Sequence, residues 1–110
     1  MSQFVNYLAE VFAEFGQTNT RPMFGGHGLY YEGIMFGLVA DDQLYLKVDT
    51  TIRQDFEDLG LAAFEYNKQG KVMTMSYYLA PEEIYDDPEL AAEWARKSWG
   101  VALKAQKKKA

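Results

Sequence analysis

The segment Gly25-Gly26-His27-Gly28 is the first place in this chain where chemistry could be done. Glycines let backbone N–H groups approach an anion, so such a run can cradle a phosphate. The spacing is neither G-x-x-x-x-G-K-[ST] nor G-x-G-x-x-G, and no helical pattern follows, so a bulge or tight bend between strands is the preferred reading. His27 is the only histidine, and there is no cysteine. A general base needs an orienting partner and a proton within reach, and a metal would need further ligands that could only be carboxylates. The spacing supports neither role, and an exposed turn histidine is expected. Ser2, Ser76 and Ser98 are the only serines, and none sits in a nucleophile-elbow pattern. No catalytic, cofactor-binding or metal-binding residue is assigned, and no cofactor is expected.

Two other groupings could bind rather than react. Glu82, Glu83, Asp86, Asp87, Glu89 and Glu93 place six acids and no base within twelve residues. Acids at helix starts complement the dipole, which accounts for Asp87 and Glu89 but less well for the whole density. The remainder is a candidate docking face for a basic partner, or a weak hard-cation site. The tyrosines 30, 31, 45, 66, 77 and 78 could in principle stack bases on an open sheet, but the sheet offers only Arg21, Lys47 and Lys71 as basic company. Trp99 and Leu103 fall off the main apolar stripe of the last helical segment. They are candidates for a partner contact, or for covering a sheet edge.

The elements that must position these residues follow from periodicity. Phe4, Leu8, Val11, Phe12 and Phe15 recur at helical spacing, predicting a helix over 2–16 with Ser2 as cap and Gly16 as stop. After a polar turn at 17–20, short extended runs are expected at 21–24 and 29–31, then 34–40 and 43–48, with turns at Glu32-Gly33 and Asp41-Asp42. Thr51-x-x-Gln54 has the capping-box pattern and opens a short helix with Ile52, Phe56 and Leu59 inward and Gly60 at its end. Residues 62–66 and 71–79 read as a hairpin around Asn67-Lys68-Gln69-Gly70. Residues 81–84 read as one helical turn, and Asp87-Pro88-Glu89 as a strong helix start. The last helix is expected from 88 to about 104, loosened or kinked at Gly100.

The fold class expected is α+β: two layers, an antiparallel sheet of about five to six strands packed by N-terminal, middle and C-terminal helices. With 110 residues and 48% hydrophobic content, the chain is a single globular domain, read as 1–104 with a flexible basic tail at 105–110. Lys104, Lys107, Lys108 and Lys109 fall in the last seven residues. The first 103 residues thus hold seven bases against all sixteen acids, a balance of −9, which repels a phosphate backbone. No signal peptide or membrane-spanning stretch is read, and a cytoplasmic location is expected.

The segment Arg21-Pro22-Met23-Phe24-Gly25-Gly26-His27-Gly28-Leu29-Tyr30 resembles the signature of the TfoX/Sxy N-terminal domain family. The match continues through 33–48 (including Lys47), Met75-Ser76-Tyr77-Tyr78, Pro81-Glu82-Glu83 and Trp94-Ala95, nearly the whole chain. The family often places an aromatic residue at the position of His27. The resemblance implies a two-layer α+β domain similar to secretion-chaperone-like folds. It also implies a regulatory role: longer members are transcriptional co-activators of natural competence in bacteria, act with the cyclic-AMP receptor protein, and carry a second, C-terminal helical domain. This chain reads as the N-terminal domain alone. Three functional readings stay open. The first is a non-enzymatic regulatory module that binds protein, possible homodimerisation through an edge strand or the last helix included. The second is a small-ligand binder or enzyme with a pocket near residues 25–30. The third is a weak nucleic-acid binder through the lysine tail and the tyrosines, the least expected of the three.

Overall fold

The computed structural model describes residues 3–23 and 25–109, with the side chains of all but 66–68, 72–75 and 108–109. The Ser2 cap and Phe24 of the signature segment lie outside the described residues, as do the side chains of Tyr66, Met75, Lys108 and Lys109. The elements are α1 (Gln3–Val11), β1 (Thr18–Met23), β2 (Gly26–Tyr31), β3 (Ile34–Ala40), β4 (Gln43–Lys47), α2 (Arg53–Glu57), β5 (Ala63–Lys68), β6 (Lys71–Leu79), a 3₁₀ turn (Glu82–Asp86) and α3 (Pro88–Lys109). The six strands form one antiparallel sheet in the order β1-β2-β3-β4-β6-β5. The α+β class and the sheet with three helices are therefore as expected.

Three hairpins turn on paired left-handed residues: Glu32-Gly33, Asp41-Asp42 and Gln69-Gly70, with φ between 50° and 81°. Paired positive φ suits the right-handed twist of the strands it joins. The last of these is a two-residue turn, tighter than the four residues read from sequence. One sheet face carries Leu29, Tyr31, Ile34, Phe36, Val39, Leu44, Leu46 and Val48, and α1, α2 and α3 cover it. Leu8, Phe12, Phe56, Ile84, Ala91, Trp94 and Ala95 complete this core.

Five expectations change. Helix α1 ends at Val11, because residues 12–16 tighten into N–H contacts from Ala13 to Glu10, and from Phe15 and Gly16 to Phe12. That turn drops Phe12 and Phe15 against Phe36 (5.9 and 5.3 Å between rings), with Phe15 also 4.5 Å from Tyr31. Thr18, Asn19 and Thr20 belong to β1 rather than to a turn, since an edge strand half in water needs no apolar run. The capping box does not form. The Asp49 carboxylate takes both the N–H and the hydroxyl of Thr51, and its carbonyl accepts from Ile52 and Arg53. The Thr51 hydroxyl bond is the main reason that the Asp49 carboxyl is held below its ordinary pKa. Leu59 is 52% exposed, because α2 stops at Glu57 and the chain reverses at Gly60 (φ +72), bringing Leu61 to the core instead. Helix α3 also runs unbroken through Gly100 to Lys109.

Candidate functional site

Strand alternation places one set of side chains on the sheet face that no helix covers. The printed registers align them in rows. Arg21 of β1 faces Gly28 of β2, Gly28 faces Leu38 of β3, Leu38 faces Tyr45 of β4, and Tyr45 faces Leu79 of β6. One step along, Asn19 faces Tyr30, which faces Met35, and Lys47 faces Tyr77. Met23 and Gly26 pair in a third row.

Gly28 makes this packing possible. A Cβ there would lie 2.8 Å from the sulfur of Met23, 3.0 Å from the Tyr30 ring and 3.2 Å from the sulfur of Met35. With only hydrogen present, these three side chains close over the glycine. Gly26 is pressed harder still: its Cβ would fall 2.0 Å from the carbonyl oxygen of Val39. The glycine run is thus a close approach between strands rather than a phosphate loop. Gly25 alone takes a left-handed φ, +77°, leading into β2.

Although no helix lies over it, the face has a buried floor. Leu38 is 2% exposed and Tyr77 6%. Their cover consists of amphipathic side chains. The Arg21 guanidinium carbon lies 5.0 Å from the Tyr30 ring centre, and the Lys47 ammonium 5.2 Å from that of Tyr77. Tyr45 meets Phe64 edge-on at 4.9 Å. Burial, then the neighbouring phenol of Tyr30, pushes the Tyr77 hydroxyl up to about 12. The rings of Tyr30 and Tyr77 are thus each capped by a cation. Among the described residues, Arg21 and Lys47 are the only charged groups at strand positions of this face from β1 to β4. Lys71 starts β6 at the tip of its hairpin.

The remaining candidates lie elsewhere. Tyr78 points to the helix side, where its hydroxyl donates to Glu57 at 3.1 Å. Pro81 is fully buried, and Trp94 packs edge-on against Phe56 at 4.8 Å. Asp87 caps α3, its carboxylate accepting the Leu90 N–H at 3.1 Å. Glu82, Glu83, Asp86 and Glu89 are exposed around the 3₁₀ turn and the start of α3. Leu103 is half-buried. Trp99 is engaged within the domain: its indole N–H donates to the Tyr31 carbonyl at 3.0 Å, and its ring meets Tyr31 edge-on at 5.4 Å. His27 is half-buried within β2 rather than sitting in a turn. An open groove of about 290 Å³, lined by Phe4, Leu44, Leu61, Leu79, Glu82 and Tyr85, lies at the sheet end, away from residues 25–30. Among the described residues no cluster of three or more acids or histidines could hold a metal, and no helix is long and apolar enough to cross a membrane.

Sequence reasoning missed Arg21, Leu38 and Met35 as members of one constellation. The signal was present: alternation in β2, β3 and β4 assigns their faces, once the irregularity between Leu29 and Tyr30 in the β2–β3 register is known.

Comparison with known proteins matches residues 10–102 to the TfoX N-terminal domain. The DNA transformation protein TfoX1 of Aliivibrio fischeri is 37% identical over 88 residues, covering 76% of this chain and 42% of that protein. Protein Sxy of Escherichia coli is 26% identical over 95 residues, covering 86% of this chain and 46% of that protein. The chain spans less than half the length of either curated relative.

Proposed function

The chain belongs to the TfoX N-terminal domain family, and on that premise we propose that it is a non-enzymatic regulatory module that works by binding protein. The observation carrying this reading is where the family resemblance sits. Met23, Gly26, Gly28, Tyr30, Lys47 and Tyr77, six of the residues that carry it, gather on the helix-free face. A fold alone needs its signature in the core, as with Pro81 and Trp94. A set of polar-tipped aromatics and cations on an uncovered sheet has the composition of an interaction surface, where Tyr and Arg dominate. The process is regulation of DNA uptake, in keeping with the name of the Aliivibrio relative. The partner is a transcription regulator of the cyclic-AMP receptor protein kind, met in the cytoplasm.

Direct action on DNA is disfavoured by the net charge of −5. The test is binding of the purified chain to the cyclic-AMP receptor protein by interferometry, with Arg21→Glu/Lys47→Glu as the face variant. Binding that the double variant abolishes, with its circular dichroism unchanged, is expected. Undiminished binding by a folded double variant sinks the assignment of this face.

A further inference from the structure

This inference rests on the helix-free face being the docking side, and names what docks there. We infer that the occupant is an acidic, extended protein segment whose carboxylates are held by Arg21 on β1 and Lys47 on β4, on either side of Leu38 on β3.

Charge gives the first argument. The chain carries sixteen acids, yet none lies at a described position of this face from β1 to β4, where the charges are Arg21 and Lys47. Outside the lysine-rich end of α3, an acidic segment meets an acid-rich surface, and this face of the sheet admits it. Packing gives the second. Leu38 and Tyr77 are already buried, so these two floor residues offer no further apolar area to a partner. Its polar outer groups are the half-buried Tyr30 and Tyr45 and the two cations. Each cation is propped over a ring at 5.0 or 5.2 Å, and a side chain held in this way loses less entropy when it takes a carboxylate.

The same props distinguish protein from nucleic acid. A base-stacking platform leaves its rings bare. Here one face of Tyr30 and one of Tyr77 are occupied by Arg21 and Lys47, and Tyr45 abuts Phe64.

Geometry sets the spacing. Residues 21 and 47 lie three strands apart and one row out of line, roughly 16 Å between backbones at ordinary sheet spacings. In an extended segment, same-side residues four apart span about 13 Å, and the long Arg and Lys stems close the difference. The preferred ligand therefore has acids at every fourth position, with small side chains between them over Leu38.

The test uses the full chain labelled for amide NMR and three probes: a peptide of repeated Glu-Ser-Ala-Ser units, its Lys-for-Glu counterpart, and oligothymidylate of matching length. The acidic peptide is expected to shift Gly28, Tyr30, Leu38, Tyr45 and Tyr77. Its affinity should fall about tenfold or more in Arg21→Glu/Lys47→Glu and stay within about threefold in Arg21→Lys/Lys47→Arg. The lysine peptide should leave these resonances still. The inference is overturned if the acidic peptide fails to move these residues, or binds the charge-reversed protein equally well. Tighter binding of oligothymidylate through the same residues overturns it in favour of nucleic acid. If charge reversal abolishes regulator binding while the acidic peptide ignores the face, the docking reading stands and this inference alone falls.

Discussion

Replacing Trp99 separates a structural role from a binding role. The indole N–H donates to the Tyr31 carbonyl at 3.0 Å, and the ring stands edge-on to Tyr31 at 5.4 Å. Tyr31 in turn packs on Phe15 at 4.5 Å and pairs with Thr18 of β1 and Ile34 of β3. Trp99 thus ties α3 to the β1 side of the sheet. Trp99→Phe keeps the ring contact and loses the hydrogen bond, a cost of about 1 kcal/mol. Trp99→Ala also loses the aromatic pair, worth about 0.5–1.5 kcal/mol, and the burial of a partly covered ring. A fully buried aromatic truncation costs about 3–5 kcal/mol, and partial exposure scales this to roughly 2–4 kcal/mol. Urea unfolding followed by circular dichroism reads both values, and Trp94 remains as the sole tryptophan in either variant. Partner binding measured on the still-folded protein should be nearly unchanged. A Trp99→Ala protein within about 0.5 kcal/mol of the parent that has lost its partner would refute the reasoning and return Trp99 to the surface as a free contact.

Four further outcomes are expected. Ser98→Ala should raise stability by about 1 kcal/mol in the same urea assay, because the Ser98 hydroxyl is fully buried with no hydrogen-bond partner; a loss instead would mean that the hydroxyl is satisfied. Gly26→Ala should cost about 3 kcal/mol or prevent folding, since its Cβ meets the backbone carbonyl of Val39 at 2.0 Å; a soluble variant with parental melting temperature excludes so close an approach of β2 and β3. Tyr77→Phe should flatten alkaline unfolding. With the folded pKa raised from 10.0 to about 12, the phenol contributes stability fully present below 10.0 and lost as pH rises to about 12, so the parent's pH–stability profile should fall there by up to about 1.4 kcal/mol per unit more steeply than the variant's. Lys47→Met should leave the melting temperature within about 2 °C, because an apolar stem covers Tyr77 equally well, while weakening the acidic peptide about threefold or more; a large loss of stability would assign Lys47 to the fold.

The sheet was legible where turns and alternation are local. Glu32-Gly33 and Asp41-Asp42 mark hairpins by residue type, and Leu44, Leu46 and Val48 declare a buried face by spacing. What remained hidden was decided by tertiary contact. The helical stripe of α1 continues in sequence to Phe15, yet packing of Phe12 and Phe15 against Phe36 unwinds its end. Thr51 has the residue type of a cap, but Asp49 captures its hydroxyl first. Trp99 falls at the margin of its helical stripe, and one-dimensional periodicity does not show that a backbone carbonyl waits there. The candidate face needed the order of four strands. Arg21 and Lys47 are far apart in the chain, and their charge is ordinary until the sheet puts them on one side, with no acid at the strand positions of β1 to β4 beside them.

The helix-free face could serve the fold alone, and the two accounts differ in which residues they explain. A small outer core accounts for Leu38, for the close packing over Gly28 and for the ring of Tyr77. It demands apolar cover, which Met23 and Met35 supply. It has no need of a guanidinium over Tyr30 or an ammonium over Tyr77, since methionine or leucine would cover either ring without a charge to hydrate. Nor does it need hydroxyls at 30 and 77, where phenylalanine fills the same volume and avoids desolvating a phenol. Here these polar tips stand on the side of the sheet that no helix protects. A surface built to stay soluble while uncovered, yet carrying charge opposite in sign to the chain that bears it, is best explained by an intermittent acidic occupant.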